Sequence, residues 1–244
     1  MADAEILLDH VQFMRGLITD STTDKNDKGV FFTDTATGPT TGLSSQWVEL
    51  TNRFADPFTV TVTTDPNDFL RSQVHHLPPG GEVLCVAEGE GRNSVFLARQ
   101  GFRVTSFDLT EAGAAKTRRL AAEHGVEVDA HVADAAHFPI GEQRWDAVVS
   151  IFAHMPPPVR ADLHRRVAVG LRPGGVLVLE AYTPDQIGRG TGGPPTAEMT
   201  MSLDVLRAEL PGLHELHAAE LVRPVVEGPG HTGDGAVVQF VARK

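Results

Sequence analysis

The chain has 244 residues, 41% of them hydrophobic and 22% charged, which is typical of a globular protein with one substantial core. Its 32 acidic residues outnumber its 21 lysines and arginines, and the net charge of −11 argues against a nucleic-acid-binding surface. No apolar run is long enough to span a membrane, and the start of the chain lacks the pattern of a secretion signal. The single cysteine, Cys85, excludes an internal disulfide, so we expect a cytoplasmic enzyme.

The first 45 residues differ in character from the rest. Apolar residues recur at helical spacing over residues 2–18 and predict an amphipathic helix. Residues 19–45 are rich in Thr, Asp and Gly, with an apolar island that contains Phe31 and Phe32. We predict that this segment is a helical extension and a lid over the active site, and that residues 46–244 form the enzymatic domain. A dispensable tail and a homodimer contact made by the first helix are the alternatives.

Two further helices are predicted before the first strand. One covers Ser45–Phe54 and contains Trp47. The other follows the turn signal Asp65-Pro66-Asn67, and its apolar face includes Phe69 and Leu70.

Residues 82–108 contain the motif that decides the prediction. The apolar run Val83–Ala87 predicts a strand buried on both faces, and a glycine turn follows at Glu88–Arg92. Ser94–Gln100 is predicted as a helix, and a second apolar strand, Phe102–Phe107, leads directly into Asp108. A strand, a glycine turn, a helix, a strand and an acid in this order form the first half of a nucleotide-binding unit.

The residue types in this motif suit a nucleoside ligand. Gly89 and Gly91 let the backbone turn sharply and let a ligand approach without meeting a side chain, although a tight turn without any ligand also needs glycines. Asp108 lies 17 residues after Gly91 at the end of the next strand, where a carboxylate can accept both ribose hydroxyls.

The glycine turn also discriminates between nucleosides. A dinucleotide-binding motif has a third glycine where this chain has Ser94. Glu88 and Glu90 would repel a pyrophosphate and attract a ligand that carries an amino group or a sulfonium. The pattern therefore favours S-adenosylmethionine over NAD, unless both glutamates simply point to water.

Helices and strands alternate after Asp108. Predicted helices cover Glu111–His124, Pro157–Leu171 and Leu203–Leu210, and predicted strands cover Val126–Ala133, Trp145–Ser150, Val176–Ala181, His214–Val226 and Ala236–Arg243. The last two strands are joined only by a glycine-rich loop. We therefore predict a Rossmann-like, doubly wound α/β fold: a mostly parallel, seven-stranded sheet with an antiparallel C-terminal hairpin.

The motifs VAEGEGRNSVFLA, VVSIFAHMPP, LEAYTP and EGPGH followed by VVQ resemble class I S-adenosylmethionine-dependent methyltransferases, and among them the tellurite-resistance and thiopurine methyltransferase-like group. The similarity runs from about Trp47 to the C-terminus. One departure is the stretch FTVTVTT, where that group has a tyrosine-rich segment.

The resemblance implies a set of cofactor-binding residues: Glu88, Gly89, Glu90, Gly91 and Arg92 around the methionine part, Asp108 on the ribose, Leu109, Asp134 and Ala135 at the adenine, and Ser150 and Phe152 beside the sulfonium. We predict an acceptor pocket that includes Phe31, Phe32, Trp47, Tyr182 and His231. His154 is the candidate general base, and its alternative role is that of a packing histidine.

The sequence thus predicts methyl transfer to a small-molecule acceptor with an oxygen, nitrogen, sulfur or chalcogen nucleophile, by in-line displacement and with a base only where the nucleophile is protonated. A methyltransferase-like protein with lost or repurposed activity, and an NAD-dependent oxidoreductase, are the alternatives. We expect neither nucleic acid nor a membrane as partner. The histidine pairs His75-His76 and His214/His217 lack a third ligand, so we expect no metal.

Overall fold

The structure, a computed structural model, describes residues 65–227 and 232–244. The predicted N-terminal helix and lid, the predicted helix over Ser45–Phe54, and the pocket candidates Phe31, Phe32, Trp47 and His231 lie outside this range. No helix within it is both long and apolar enough to cross a membrane.

The described residues form five α-helices and seven strands between residues 68 and 243. The helices are α1 (Asp68–Gln73), α2 (Arg92–Arg99), α3 (Glu111–Glu123), α4 (Pro157–Gly170) and α5 (Leu203–Glu209). The strands are β1 (Glu82–Val86), β2 (Arg103–Asp108), β3 (Val128–Val132), β4 (Trp145–Ile151), β5 (Leu171–Tyr182), β6 (His214–Val226) and β7 (Thr232–Arg243). Short 3₁₀ turns cover Val74–His76, Pro184–Gln186 and Ala197–Met199.

All seven strands form one sheet in the order β3-β2-β1-β4-β5-β7-β6. The first five are parallel, and β7 runs antiparallel to both of its neighbours, β5 and β6. The predicted fold class, including the antiparallel hairpin, is therefore confirmed. The sequence did not determine that the last strand, β7, would lie between β5 and β6, which makes β6 the edge strand of the sheet.

The sheet is covered on both faces, as buried parallel strands require. On one face, α4 and α5 pack through Leu163, Val167 and Leu206 against apolar residues that alternate along the strands. On the other face, α1 and α2 contribute Phe69, Leu70 and Leu97. Cys85 is buried on this second face, as predicted for the middle of β1.

Four predicted elements have a boundary that differs from the structure by two residues or more. Helix α2 begins at Arg92 rather than Ser94, because Gly91 already adopts the positive φ that ends the turn. Strand β3 is shorter than predicted, β7 starts at Thr232 rather than Ala236, and β5 starts at Leu171. The turn predicted at Pro173–Gly175 becomes an irregularity inside β5, where the register with β4 shifts between Trp145 and Ala147.

Candidate functional site

The predicted cofactor-binding residues of the described range lie together at one edge of the sheet, which we call the carboxyl edge because the parallel strands end there. Val86 of β1 is in register with Phe107 of β2 and with Ser150 of β4. Asp108 is in register with Val132, directly before the segment that contains the predicted Asp134 and Ala135. Open α/β sheets bind ligands at this edge.

The two glycines of the turn have different surroundings. Gly89 has φ +65°, and a Cβ atom added there would meet nothing within 4 Å. Gly91 has φ +86°, and a Cβ atom there would lie 2.6 Å from the Cα atom of Thr117 in α3. Gly89 therefore leaves open space beside the backbone, whereas Gly91 allows close packing of the turn against α3.

Asp108 is fixed by two neighbouring segments. Its Oδ2 accepts the N–H of Gly89 at 2.9 Å, and its Oδ1 accepts the N–H and the hydroxyl of Thr110 at 3.0 and 2.8 Å. A carboxylate has about four acceptor positions, and three are used here, so one is left for a further donor such as a ribose hydroxyl. The residue thus fits the predicted ribose contact.

The two glutamates of the turn do not simply point to water. Glu88 is half-buried, and its Oε1 accepts the N–H of Ser94 at 2.7 Å. Burial raises the pKa of Glu88 to about 7, against the opposing effect of its hydrogen bonds to Ser94. Glu90 is paired with Lys116 of α3 at 2.5 Å. A cationic ligand at the turn would stabilise the ionised form of Glu88, which fits S-adenosylmethionine better than a pyrophosphate.

Two residues at the carboxyl edge have strained backbones. Ala87, at the end of β1, has φ 49°, and Phe152, just after β4, has φ 52°. Residues other than glycine rarely adopt this conformation, and it concentrates at functional sites. The strain marks the ends of the two central strands, between which the ligand is expected.

The remaining predicted cofactor residues line the same edge with different exposure. Leu109 is 70% exposed, which is unusual for a leucine and leaves its side chain available to a ligand. Asp134 is exposed, and its Oδ1 accepts the N–H of Ala136 at 2.9 Å. Ser150 is buried at the end of β4.

Three aromatic rings meet where β4 and β5 end. The ring centroids of Phe152 and Tyr182 are 4.5 Å apart, and the ring of His154 is stacked on Tyr182 at 5.5 Å. Tyr182 is only 1% exposed, and the two nearby glycines, Gly193 and Gly235, leave room for its ring. We call Phe152, His154 and Tyr182 the aromatic cluster.

The geometry of His154 argues against its predicted role as a base. Its Nδ1 is 3.0 Å from the carbonyl oxygen of Met199, and its Nε2 is 3.2 Å from the backbone nitrogen of Tyr182. A backbone carbonyl only accepts and a backbone amide only donates, so the ring is neutral with its proton on Nδ1. The lone pair of Nε2 accepts the N–H of Tyr182. The described structure therefore supports the alternative role of His154 as a packing histidine.

Arg92, predicted beside the methionine part of the cofactor, has protein partners in the described structure. Its guanidinium forms an ion pair with Glu227, directly after β6, and donates to the carbonyl oxygen of Asp65 at 3.4 Å. These contacts hold the side chain at the start of α2, and whether it also contacts the cofactor stays a prediction.

The sequence analysis did not identify a network of hydrogen-bonded polar residues close to the carboxyl edge. Glu180 on β5, Arg223 on β6, Glu227 and Asn67 form a buried polar network. One signal was present in the sequence, because Glu180 is the only charged residue in the apolar run VLVLEAY. A charge in a buried strand requires a partner, although the sequence does not show which one.

A second missed cluster fixes the segment between β5 and α5. Arg160 of α4 donates to both carboxylate oxygens of Glu209 at 3.1 Å and to the carbonyl oxygens of Glu198 and Thr200 at 3.0 Å. His164 is 2.7 Å from the same glutamate. The segment that follows the aromatic cluster is therefore anchored to α4.

A separate groove of about 430 Å³ lies between α1 and the β6–β7 pair. Phe69, His217, Arg223 and Gln239 are among the residues that line it. None of the described site candidates does, so the groove is not the predicted cofactor site.

Known proteins are similar to parts of this chain in sequence. Residues 83–175 match the methyltransferase domain family. An uncharacterised protein of Mycobacterium tuberculosis is 30% identical over 105 residues, which cover 43% of this chain and 38% of that protein. Methyltransferase GfsG of Streptomyces halstedii is 28% identical over 142 residues, which cover 56% of this chain and 50% of GfsG. The chain thus spans no more than about half the length of these curated relatives.

Solved structures share the fold. TehB from Haemophilus influenzae superposes with a TM-score of 0.59 at 21% identity, over 72% of this chain and 61% of TehB, a likeness that shows the fold. Other solved structures with this fold are S-adenosylmethionine-dependent methyltransferases. The glycine turn, the acid after β2 and the match of residues 83–175 to the methyltransferase domain family agree with one another, and the fold is that of S-adenosylmethionine-dependent methyltransferases.

Proposed function

We propose that the chain transfers a methyl group to a small-molecule acceptor with an oxygen, nitrogen, sulfur or chalcogen nucleophile, by in-line displacement. The aromatic cluster carries this proposal, since its rings lie at the ends of β4 and β5, next to the predicted cofactor residues of β1 and β2. When bound, S-adenosylmethionine supplies an activated methyl group. The residues of the chain have to hold the two reactants in line and exclude water.

The cofactor side of the site is assigned to β1, β2 and the turn between β1 and α2. Asp108 would accept the ribose hydroxyls, Glu88 would face the cationic end of the ligand, and Gly89 would let the backbone approach. All three positions are held by hydrogen bonds within the protein, because the N–H of Gly89 donates to Asp108 and the N–H of Ser94 donates to Glu88. Such preorganisation lowers the cost of ordering on binding.

The acceptor side is assigned to the aromatic cluster and the anchored segment after β5. Phe152 and His154 are half-buried and keep some exposed ring surface, whereas Tyr182 is buried. Exposed aromatic faces suit a planar or apolar acceptor, which gains from contact with them. The net charge of −11 disfavours a polyanionic acceptor such as nucleic acid. These two observations support a small organic acceptor.

The protonation of His154 and Tyr182 in the aromatic cluster limits which classes of nucleophile the acceptor can carry. The lone pair of His154 is used by the Tyr182 amide, and burial raises the pKa of the Tyr182 hydroxyl to about 12, so this group stays protonated at neutral pH. Neither group is a ready base. We therefore favour nucleophiles that attack without a protein base, such as a thiolate, a neutral amine or a reduced chalcogen.

The proposal is tested with the full chain, S-adenosylmethionine and four acceptor classes: thiols, amines, hydroxyl compounds and chalcogen oxyanions after reduction. Mass spectrometry measures S-adenosylhomocysteine and the methylated acceptor, and the Asp108→Ala variant is the control. We expect product from the thiol, amine or chalcogen class and almost none from the variant. Binding of cofactor without product in any class would support the repurposed alternative, and preferential binding of NADH would support the oxidoreductase.

A further inference from the structure

A fully buried carboxylate lies behind the carboxyl edge. Glu180 of β5 has no exposed surface. Its Oε1 accepts from Arg223 Nε and Gln239 Nε2, both at 2.8 Å, and its Oε2 accepts from Asn67 Nδ2 at 2.7 Å and Arg223 Nη2 at 2.5 Å. All acceptor positions of this carboxylate are thus filled, as burial of a charge requires.

A second carboxylate continues the network to the glycine turn. Glu227 Oε1 accepts from Asn67 Nδ2 at 2.8 Å and lies 4.0 Å from Arg223 Nη2. Glu227 also forms the ion pair with Arg92. Arg92 is the first residue of α2 and directly follows Gly91, so this chain of contacts leads from the middle of the sheet to the cofactor turn.

Asn67 joins the starts of two helices to this network. Its side chain accepts the N–H of Leu70 at 2.8 Å and thereby caps α1, while its own backbone N–H donates to Asn93 Oδ1 at 2.9 Å in α2. Asn67 is 1% exposed. The first turn of α2 is therefore held through both Arg92 and Asn93.

The network is balanced in charge and has no described contact of its own with the open side of Gly89. It contains two arginines and two glutamates, and the side chains of all four are at most 15% exposed. Buried ion pairs contribute little net stability compared with apolar residues, but they fix geometry, and the loss of one partner leaves the other charge uncompensated. This favours a role in placement.

We propose that Asn67, Arg92, Glu180, Arg223 and Glu227 form a positioning device for the cofactor turn, in which Glu227 acts through Arg92 to fix the start of α2. The N–H groups that a cofactor meets at the turn depend on where this helix begins. Arg92 is then a positioning residue instead of a direct ligand of S-adenosylmethionine. The inference rests on cofactor binding and does not depend on which acceptor is methylated.

The test uses the full chain and S-adenosylhomocysteine as the probe. Calorimetry measures its affinity for the variants Glu227→Gln, Arg92→Gln and the double variant, in which neither buried charge is left alone. Positioning predicts that each single variant weakens binding at least tenfold, and that the double variant is no weaker than either single one, because residues acting as one unit are not additive. The exposed pair Arg207–Glu215 provides the control variant Arg207→Gln, which should bind like the wild type.

Hydrogen exchange of the apo protein gives a second readout, independent of any ligand. The amides of residues 88–95 should exchange at least tenfold faster in Glu227→Gln than in the wild type and the control variant. If a Gln variant does not fold, Arg92→Lys is used instead. It keeps the charge but cannot contact Glu227 and the Asp65 carbonyl at the same time, as a guanidinium does. It should likewise weaken cofactor binding and speed up exchange at residues 88–95.

Two outcomes would overturn the proposal. Weak binding in Arg92→Gln together with normal or tighter binding in Glu227→Gln would show that Arg92 contacts the cofactor directly. A lower unfolding midpoint with unchanged affinity and unchanged exchange at residues 88–95 would show that the network is only structural. Since methyl transfer is not measured, either result leaves the proposed reaction standing, and a chain that never methylates an acceptor leaves this test intact.

Discussion

At the scale of single residues, Asp108 and His154 show how hydrogen-bond partners decide a role. Both were predicted as functional residues, and both make two sets of contacts with backbone groups. A carboxylate that accepts two N–H groups and one hydroxyl still has one acceptor position left. In the neutral imidazole of His154, both ring nitrogens have backbone partners.

We predict that Asp108→Ala weakens the binding of S-adenosylhomocysteine at least tenfold. The substitution removes the acceptor of a ribose hydroxyl, and leaving a buried donor unpaired costs about 2 kcal/mol. Calorimetric titration measures the affinity, and an unfolding curve of the same variant serves as control for the fold. Equal affinity of variant and wild type would remove Asp108 from the site.

For His154→Ala we expect a structural effect. The Tyr182 amide and the Met199 carbonyl would lose their partner, which should lower the free energy of unfolding by about 1–3 kcal/mol. Urea unfolding measures this loss, and calorimetry with S-adenosylhomocysteine should show a change of less than about threefold. If His154 were the general base, the same substitution would lower the rate of methyl transfer by about 10²–10⁴-fold and leave stability unchanged. The decrease of the rate at low pH that protonation of the base causes would also disappear.

At the scale of elements, the unit β1–turn–α2 combines open space with close packing. The turn is open beside Gly89 and closed beside Gly91, where α3 passes. Thr117 reinforces this contact, since its hydroxyl donates to the carbonyl oxygens of Gly113 and Gly89 at 3.1 and 3.3 Å. The same sequence motif therefore contains one glycine for the ligand and one for the fold.

A matched pair of substitutions separates these roles. Gly89→Ala meets no atom, so it should cost only about 1–2 kcal/mol of stability for the left-handed backbone, but it should weaken cofactor binding. Gly91→Ala bears the same backbone cost and a clash with the Thr117 backbone, which should add about 1–3 kcal/mol. Urea unfolding and calorimetry on both variants measure the two effects. Equal stabilities would mean that α3 moves aside easily, and normal cofactor affinity of Gly89→Ala would make that glycine structural as well.

At the scale of the whole molecule, buried acids set how stability responds to pH. Burial raises the pKa of Glu88 to about 7, whereas Glu209, despite the opposing effect of burial, has its pKa lowered by hydrogen bonds to His164 and Arg160. The two groups act in opposite directions. An acid with a raised pKa destabilises the folded state once it ionises, and an acid with a lowered pKa stabilises it.

We therefore expect the Glu88 contribution to stability to fall as pH rises from about 4.5, its ordinary value, to about 7, its folded value, by up to about 3 kcal/mol. Glu88→Gln keeps an oxygen that can accept the Ser94 N–H and cannot ionise. Urea unfolding at pH 5, 6, 7 and 8 should show the variant gaining stability relative to the wild type as pH rises. A difference that stays constant over this range would mean that Glu88 titrates normally.

Much of the fold could be predicted because its signals are local. The buried run of β1, the glycine turn and the acid after β2 lie within 27 residues, and each identifies itself through hydrophobicity or backbone freedom. Because parallel strands end at the same edge, the same reasoning also brought Asp108, Asp134 and Ser150 together. Whether they contact the cofactor stays a prediction.

Tertiary structure alone decided which distant groups meet. The place of β7 between β5 and β6, the saturation of His154 by Tyr182 and Met199, and the pairing of Arg92 with Glu227 all join segments far apart in the chain. A sequence shows that Glu180 needs a partner, but any of several cations and amides could satisfy a buried carboxylate. The choice depends on which side chains the packed sheet and helices bring within hydrogen-bond distance.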